Sequence, residues 1–141
     1  MVNNHVINTL NDFLKGQYMG IHAYENYIQK ISDEQIKREL QKIQQELKND
    51  ASKVAERIQN LGGKPADSEG IVGSIQGYLN HFTIPNDTSE MLEDALNGEN
   101  KGIQMAKEIV RGDLDPESLQ LIKELLNKDR SHVERLRGLI Q

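Results

Sequence analysis

Two polar side chains interrupt the apolar pattern near the end of this sequence. Asp129 and His132 lie three residues apart in the segment KDRSHV, residues 128–133. On a helix, that spacing places both side chains on one face, a turn apart. A carboxylate and an imidazole in this arrangement can bind a transition-metal ion. The alternative is a hydrogen-bonded polar layer that fixes the register of packed helices.

Each of the four predicted long helices has one such polar residue at a core-facing position near its middle. These are Gln17, Asp50, Glu99 and Asp129. A buried carboxylate is costly unless it binds a cation, takes up a proton or accepts hydrogen bonds. If the four residues share one layer, we predict metal ligation by Glu99, Asp129 and His132, with Asp50 as a fourth ligand and Gln17 as a polar neighbour. Iron, manganese or zinc suits these donors, although a metal-free layer is also open.

Apolar residues recur at alternating steps of three and four along most of the chain, which predicts amphipathic helices. The predicted helices span about residues 4–30, 33–61, 88–112 and 116–140. A capping box of Ser32 with Gln35 is expected to start the second helix. The glycines that begin GGKP, residues 62–65, are expected to end it, and Asp115 followed by Pro116 to start the last.

The connection over residues 62–87 is too long for a tight turn between helices. Its apolar residues predict a short helix within it. A long connection between two closely linked helix pairs predicts an all-α, antiparallel four-helix bundle, built of two helical hairpins joined by a crossover. The length of 141 residues fits one domain, residues 1–141.

The two hairpins resemble each other in sequence. The pattern Leu-x-Gly-x-x-x-Gly-Ile occurs at residues 14–21 and again at 96–103, an offset of 96 − 14 = 82. This offset aligns Gln17 with Glu99 and Asp50 with His132. It favours an internal duplication, with chance similarity of amphipathic helices as the alternative. The paired glycines are expected to let helices approach closely.

Composition excludes several classes of protein. The absence of cysteine excludes disulfides and thiolate chemistry. The net charge is −5, and no basic stripe interleaved with aromatic residues is present, so nucleic acid is not expected as a partner. No apolar run approaches the roughly 20 residues of a membrane span. The start of the sequence has no signal-peptide pattern, so we predict a cytoplasmic protein.

Three segments resemble a known family, the small bacterial ferritin-like domains of unknown function. They are GGKPADSEGIVGSI at 62–75, ALNGENKGIQMAKE at 95–108 and KDRSHVERLRGL at 128–139. The resemblance extends from about Val6 to Ile140. It implies a ferritin-like four-helix bundle that self-associates as a homodimer or larger homo-oligomer, and it implies no established reaction.

The di-metal bundle proteins of the wider superfamily take a Glu from each of two helices and Glu-x-x-His from each of the others. The last two helices of this chain match in part, with Glu99 and Asp129-x-x-His132. The positions that depart from the pattern are Gln17, Leu47 and Asp50. The sequence therefore favours a non-catalytic or weakly metal-binding protein in stress physiology or storage, with no catalytic residue and no organic cofactor predicted.

Two alternatives stay open. One is a di-metal oxidase, or a peroxide-handling enzyme, which uses iron. The other is a structural module that acts as a homodimer through the crossover, where Tyr78 and Phe82 would make the contact.

Overall fold

The computed structural model describes residues 4–67 and 85–140, which form four α-helices and contain no strand. The helices are α1 (Asn4–Lys30), α2 (Glu34–Asn60), α3 (Thr88–Val110) and α4 (Pro116–Ile140). The prediction of an all-α four-helix bundle is confirmed. The short helix predicted in the crossover lies outside the described residues. No helix among the described residues is long and apolar enough to cross a membrane.

Each helix packs beside two others, with α1 against α2 and α3, and α4 against α3 and α2. Tyr24 of α1 contacts Glu99 of α3, while Lys30, further along α1, contacts Asn86 just before α3 begins. Residues with higher numbers on α1 thus contact residues with lower numbers in and just before α3, so these two helices are antiparallel. The start of α3 lies beside the end of α1, whereas α2 ends at the opposite end of the bundle. The connection is therefore a crossover.

Helix α2 begins one residue later than the capping box predicted. The side chain of Asp33 accepts hydrogen bonds from the backbone N–H groups of Gln35 and Ile36, at 2.9 and 3.1 Å. Asp33 has the extended backbone of an N-cap residue, with φ −70° and ψ 116°. The predicted role of Ser32 was wrong because its neighbour, an equally good capping residue, lies at the position where the helix starts.

The Gly-Gly pair ends α2 as predicted. Gly62 has a φ of 86°, a left-handed conformation that glycine adopts without steric cost. The N–H of Gly62 donates to the carbonyl of Gln59, and that of Gly63 donates to Ile58. This is the Schellman arrangement. A Cβ at Gly63 would lie 2.7 Å from Cγ2 of Ile7, so the turn packs directly on α1.

The four glycines of the internal repeat are not sites of close helix approach. A Cβ at Gly16, Gly20 or Gly102 would make an ordinary contact, at 3.7 Å in each case. At Gly98 nothing lies within 4 Å of that position. The expected steric role of these glycines is therefore wrong, since each position has room for a methyl group.

The bundle encloses a largely aliphatic core. Its largest fully buried side chains include Leu10, Phe13, Leu14, Leu40, Ile43, Ile58, Met91, Leu92, Ile122, Leu125 and Leu136. The five polar residues singled out from the sequence are also buried: Gln17, Asp50, Glu99, Asp129 and His132. Their burial explains why each of them needs a partner.

Candidate metal centre

Helices α3 and α4 bring three potential ligands together near the middle of the bundle. Glu99 projects from α3, and Asp129 and His132 project from successive turns of α4. One ligand atom from each residue lies within 4.8 Å of the other two. The residues are 7 %, 2 % and 0 % exposed, respectively. Among the described residues this is the one group of three carboxylate or histidine side chains spaced to hold a metal ion.

The ring of His132 lies between the carboxylate of Glu46 on one side and those of Glu99 and Asp129 on the other. Its Nδ1 is 3.4 Å from Oε1 of Glu99 and 3.8 Å from Oδ1 of Asp129, while its Nε2 is 3.4 Å from Oε1 of Glu46. Nδ1 is buried, and it has no hydrogen-bond partner of good geometry within the described residues. A metal ion between Nδ1 and the two carboxylates would satisfy this nitrogen.

Glu99 is also held from the side of α1. The hydroxyl of Tyr24 donates a 2.7 Å hydrogen bond to Oε1 of Glu99. The ring of Tyr24 packs edge-on against Tyr27 with centroids 5.8 Å apart, and the hydroxyl of Tyr27 donates to Asp94. Burial, together with the charge of Glu99, raises the pKa of Tyr24 well above its usual value. The phenol thus stays protonated and orients the Glu99 carboxylate.

The charges of this cluster favour bound protons when no metal is present. Burial raises the pKa of Asp129 to about 8, and the Glu99 carboxylate adds to this effect. Burial alone would lower the pKa of His132, but Glu99, Asp129 and Glu46 outweigh it and raise that pKa. A metal ion that bound here would displace those protons, so binding would weaken as the pH falls.

Asp50 lies on the other side of the layer and has a different partner. Its Oδ1 accepts a 2.8 Å hydrogen bond from Nζ of Lys128, and its Oδ2 has no partner within the described residues. Asp50 is 1 % exposed, whereas the Lys128 side chain is 36 % exposed. Gln17 is buried as well, and its Oε1 has no partner in the part of the chain that the structure describes. Neither residue belongs to the three-ligand group, so their part in metal binding stays a prediction.

Two residues next to the cluster, Glu46 and Arg135, were not predicted from the sequence. Glu46 of α2 faces Nε2 of His132, and its Oε2 accepts a 2.7 Å hydrogen bond from Nη1 of Arg135. Burial opposes ionisation of Glu46, but Arg135 and His132 outweigh it and lower the pKa of this carboxyl. Glu46 lies one position before the apolar seam residue Leu47. At position 46 the pattern predicts a solvated side chain, so its contact with His132 could not be expected from the sequence.

Comparison with protein families supports the resemblance seen in the sequence. A family model described as a domain of unknown function, DUF2383, matches residues 5–112. The match covers α1, α2 and α3 and stops before α4, which carries Asp129 and His132. Among curated proteins, no match to this chain was found.

Solved structures confirm the ferritin-like fold. A mutant of Dps1 from Mycobacterium smegmatis has a TM-score of 0.83 at 15 % identity, over 98 % of this chain and 96 % of that one. A ferritin-like, diiron-carboxylate protein from Bacillus anthracis has a TM-score of 0.74 at 21 % identity, over 98 % and 96 % of the chains.

A two-domain protein from Anabaena variabilis contains DJ-1/ThiJ/PfpI-like and ferritin-like domains. It has a TM-score of 0.77 at 21 % identity and covers 96 % of this chain. This chain spans 35 % of that protein's length. At these identities the similarities establish the fold alone.

Proposed function

We propose that this chain, which belongs to the DUF2383 family of domains of unknown function, binds one transition-metal ion through Glu99, Asp129 and His132. The observation that carries the proposal is the convergence of three buried side chains, two carboxylates and the imidazole of His132, whose Nδ1 has no hydrogen-bond partner within the described residues. Buried polar groups normally have partners, so an orphaned nitrogen beside two carboxylates favours a bound cation.

The donor set fits such an ion. Two carboxylates and one imidazole are suitable ligands for iron, manganese or zinc. The three protein donors leave coordination positions for water or a small ligand, which is the arrangement of an open site. A redox-active ion would supply one-electron chemistry, and zinc would supply Lewis acidity. Tyr24 and Glu46 would act from outside the ligand set by orienting Glu99 and His132.

The di-metal oxidase is less well supported by the residues on the other side of the layer. A second ion would need donors from α1 and α2, where Gln17 offers an amide and Asp50 is paired with Lys128. Leu47 has no donor at all. A role in stress physiology or storage is compatible with one weakly held ion, and it stays a proposal.

Metal content tests the site directly. The protein is stripped with a chelator and loaded with Zn(II), Mn(II) or, without oxygen, Fe(II), and metal per chain is measured after gel filtration. We expect one ion per chain in the wild type and a large loss in His132→Ala. His22→Ala, which alters a histidine of α1 outside the cluster, is the matched control. Equal metal in the wild type and His132→Ala would exclude the proposed site. Two ions per chain, with oxidation of the bound Fe(II) once oxygen is admitted, would favour the di-metal enzyme.

A metal-binding site and a metal-free polar layer predict different effects of added metal on the melting temperature. An ion that binds only the folded protein at 100 times its dissociation constant adds about 2.7 kcal/mol of stability. We expect Zn(II) or Mn(II) to raise the melting temperature of the wild type and to have no such effect on Asp129→Asn. If the ion leaves both melting temperatures unchanged, the cluster serves only to set the helix register.

Self-association is a separate proposal, which rests on the family resemblance. The residues predicted to make the contact, Tyr78 and Phe82, lie outside the described residues. Light scattering coupled to gel filtration should give a mass above that of one chain, and Tyr78→Asp or Phe82→Asp should lower it. A single-chain mass at every working concentration would exclude the homodimer.

A further inference from the structure

We propose that Glu46 is a positioning residue: it holds the proton of the neutral His132 ring on Nε2 and so leaves Nδ1 free to bind the ion. The orienting role stands on the geometry of α2 and α4, whereas its consequence for metal affinity rests on the proposed function. Helix α2 would thus serve the centre through a residue outside the predicted layer.

Glu46 contacts the His132 ring at Nε2. Oε1 of Glu46 lies 3.4 Å from Nε2 of His132. An ionised carboxylate has only acceptors, so a hydrogen bond between these atoms requires Nε2 to be the donor. A neutral imidazole has one N–H, and its other nitrogen then carries a lone pair. With the proton on Nε2, that lone pair is on Nδ1. Oε1 of Glu99 is also 3.4 Å from the ring, at Nδ1, but that contact lacks hydrogen-bond geometry, whereas the contact of Glu46 with Nε2 has it.

Arg135 holds the Glu46 carboxylate in place. Nη1 of Arg135 donates a 2.7 Å hydrogen bond to Oε2 of Glu46, so one carboxylate oxygen faces the arginine and the other faces the ring. Arg135 and His132 lie three residues apart on α4 and meet Glu46 from the same side. A guanidinium has no acceptor, so whatever atom of residue 46 faces Arg135 must accept a hydrogen bond.

This constraint gives Glu46→Gln a specific effect. The glutamine side chain has one oxygen and one NH2 group, and its oxygen must face Arg135. The NH2 group then points at Nε2 of His132 and requires that nitrogen to accept. The ring proton moves to Nδ1, where it blocks the lone pair that an ion would need. The substitution keeps the size and the helix position of the side chain, so the fold is expected to be unaffected.

Metal-free protein tests the orienting role without any metal. Nitrogen-15 NMR of labelled histidine distinguishes the two neutral tautomers, and the spectrum itself identifies the conditions in which the His132 ring is neutral. We expect the Nε2–H form in the wild type and the Nδ1–H form in Glu46→Gln. Adding Arg135→Met to Glu46→Gln frees the amide to turn, which should shift the ring back towards Nε2–H. The same tautomer in the wild type and Glu46→Gln would overturn the proposal.

Cobalt(II) binding, followed by its absorption spectrum, tests the consequence for affinity. Loss of an orienting hydrogen bond to a metal-bound histidine typically weakens binding about 10- to 100-fold, which is the change expected for Glu46→Gln. Glu39→Gln is the matched control, because it removes the same charge from α2 near Arg135, whose Nη2 is 4.0 Å from Glu39, without contacting His132. Equal affinity in the two variants would overturn the effect on the ion.

The two proposals fail in different ways. If neither the wild type nor any variant binds cobalt but the tautomer still switches, the proposed metal function is wrong and the orienting role of Glu46 stands. If the wild type binds one cobalt ion and the tautomer does not switch, the metal function stands and the role of Glu46 is wrong.

Discussion

The pairing of Asp50 with Lys128 makes a sharp prediction about stability. Asp50 is 1 % exposed, its Oδ1 is bound to Lys128, and its Oδ2 has no partner within the described residues. Lys128→Met keeps most of the side-chain stem and removes the charge. Breaking a buried ion pair by removing one partner costs about 3–5 kcal/mol. Because the Lys128 side chain is 36 % exposed, water partly reaches the pair, and we expect a loss of about 2–4 kcal/mol.

An independent bound supports this range. An unpaired buried carboxylate can escape its charge by taking up a proton, which at pH 7 costs an ordinary aspartate about 4 kcal/mol. The loss caused by Lys128→Met should therefore not greatly exceed that value. Asp50→Asn should cost less, because the amide has no charge to bury and Lys128 can turn into solvent. In the Lys128→Met background, Asp50→Asn should even restore part of the lost stability.

Urea unfolding of chelator-treated protein, at one protein concentration, measures these changes as shifts of the midpoint at a constant slope. Lys42→Met is the control, since Lys42 pairs with Glu39 on the surface and its side chain is 64 % exposed. Such exposed pairs contribute about 0–1 kcal/mol. The reasoning is refuted if Lys128→Met costs no more than Lys42→Met, or if Asp50→Asn lowers the stability of Lys128→Met further.

Three further predictions concern the helices and their ends. Gly98→Ala should raise the free energy of unfolding in urea by about 0.4–1 kcal/mol, because a methyl group there meets nothing within 4 Å; an unchanged midpoint would contradict this. Gly63→Ala should lower it by about 1–3 kcal/mol, because its Cβ would lie 2.7 Å from a side chain of α1. Burial opposes ionisation of Asp115, but hydrogen bonds from Ser118 and Arg57 lower its pKa, so its stabilising effect is complete at neutral pH and is lost as the pH falls through the lowered pKa. Asp115→Asn should accordingly cost more at pH 7 than at pH 3 in urea unfolding, and an equal cost would exclude this linkage.

The sequence could predict the helices and the buried polar layer because both follow from periodicity. The period of the apolar residues decides which face of a helix packs inward, and Asp129 and His132 lie on that face whatever their role. The same periodicity places Gln17, Asp50 and Glu99 on inward faces, and all three are buried in the structure. Periodicity therefore predicts burial well, since burial depends on the face alone.

Periodicity does not predict which partner a buried group finds. Lys128 reaches Asp50, and Glu46 reaches His132, from positions that the pattern assigns to the surface. Both side chains are long, and their polar ends lie far from their own Cα atoms. The group that each side chain meets depends on how far α2 is shifted along its axis relative to α4. A pattern along one helix carries no information about this shift. The partners of Asp50 and Glu46 could therefore be found only from the packed structure.

The two halves of the layer differ in a way that bears on function. The offset of the internal repeat assigns one residue of the first hairpin to each potential ligand of the second, and these are Gln17, Leu47 and Asp50. Gln17 carries an amide in place of a carboxylate, Leu47 has no donor, and Asp50 is neutralised by Lys128. Each change reduces the capacity for a second ion, and the lysine supplies within the chain the positive charge that a buried aspartate needs. Chemistry that requires two adjacent ions would need donors at all three positions, so the residues of the first hairpin argue against a two-ion centre.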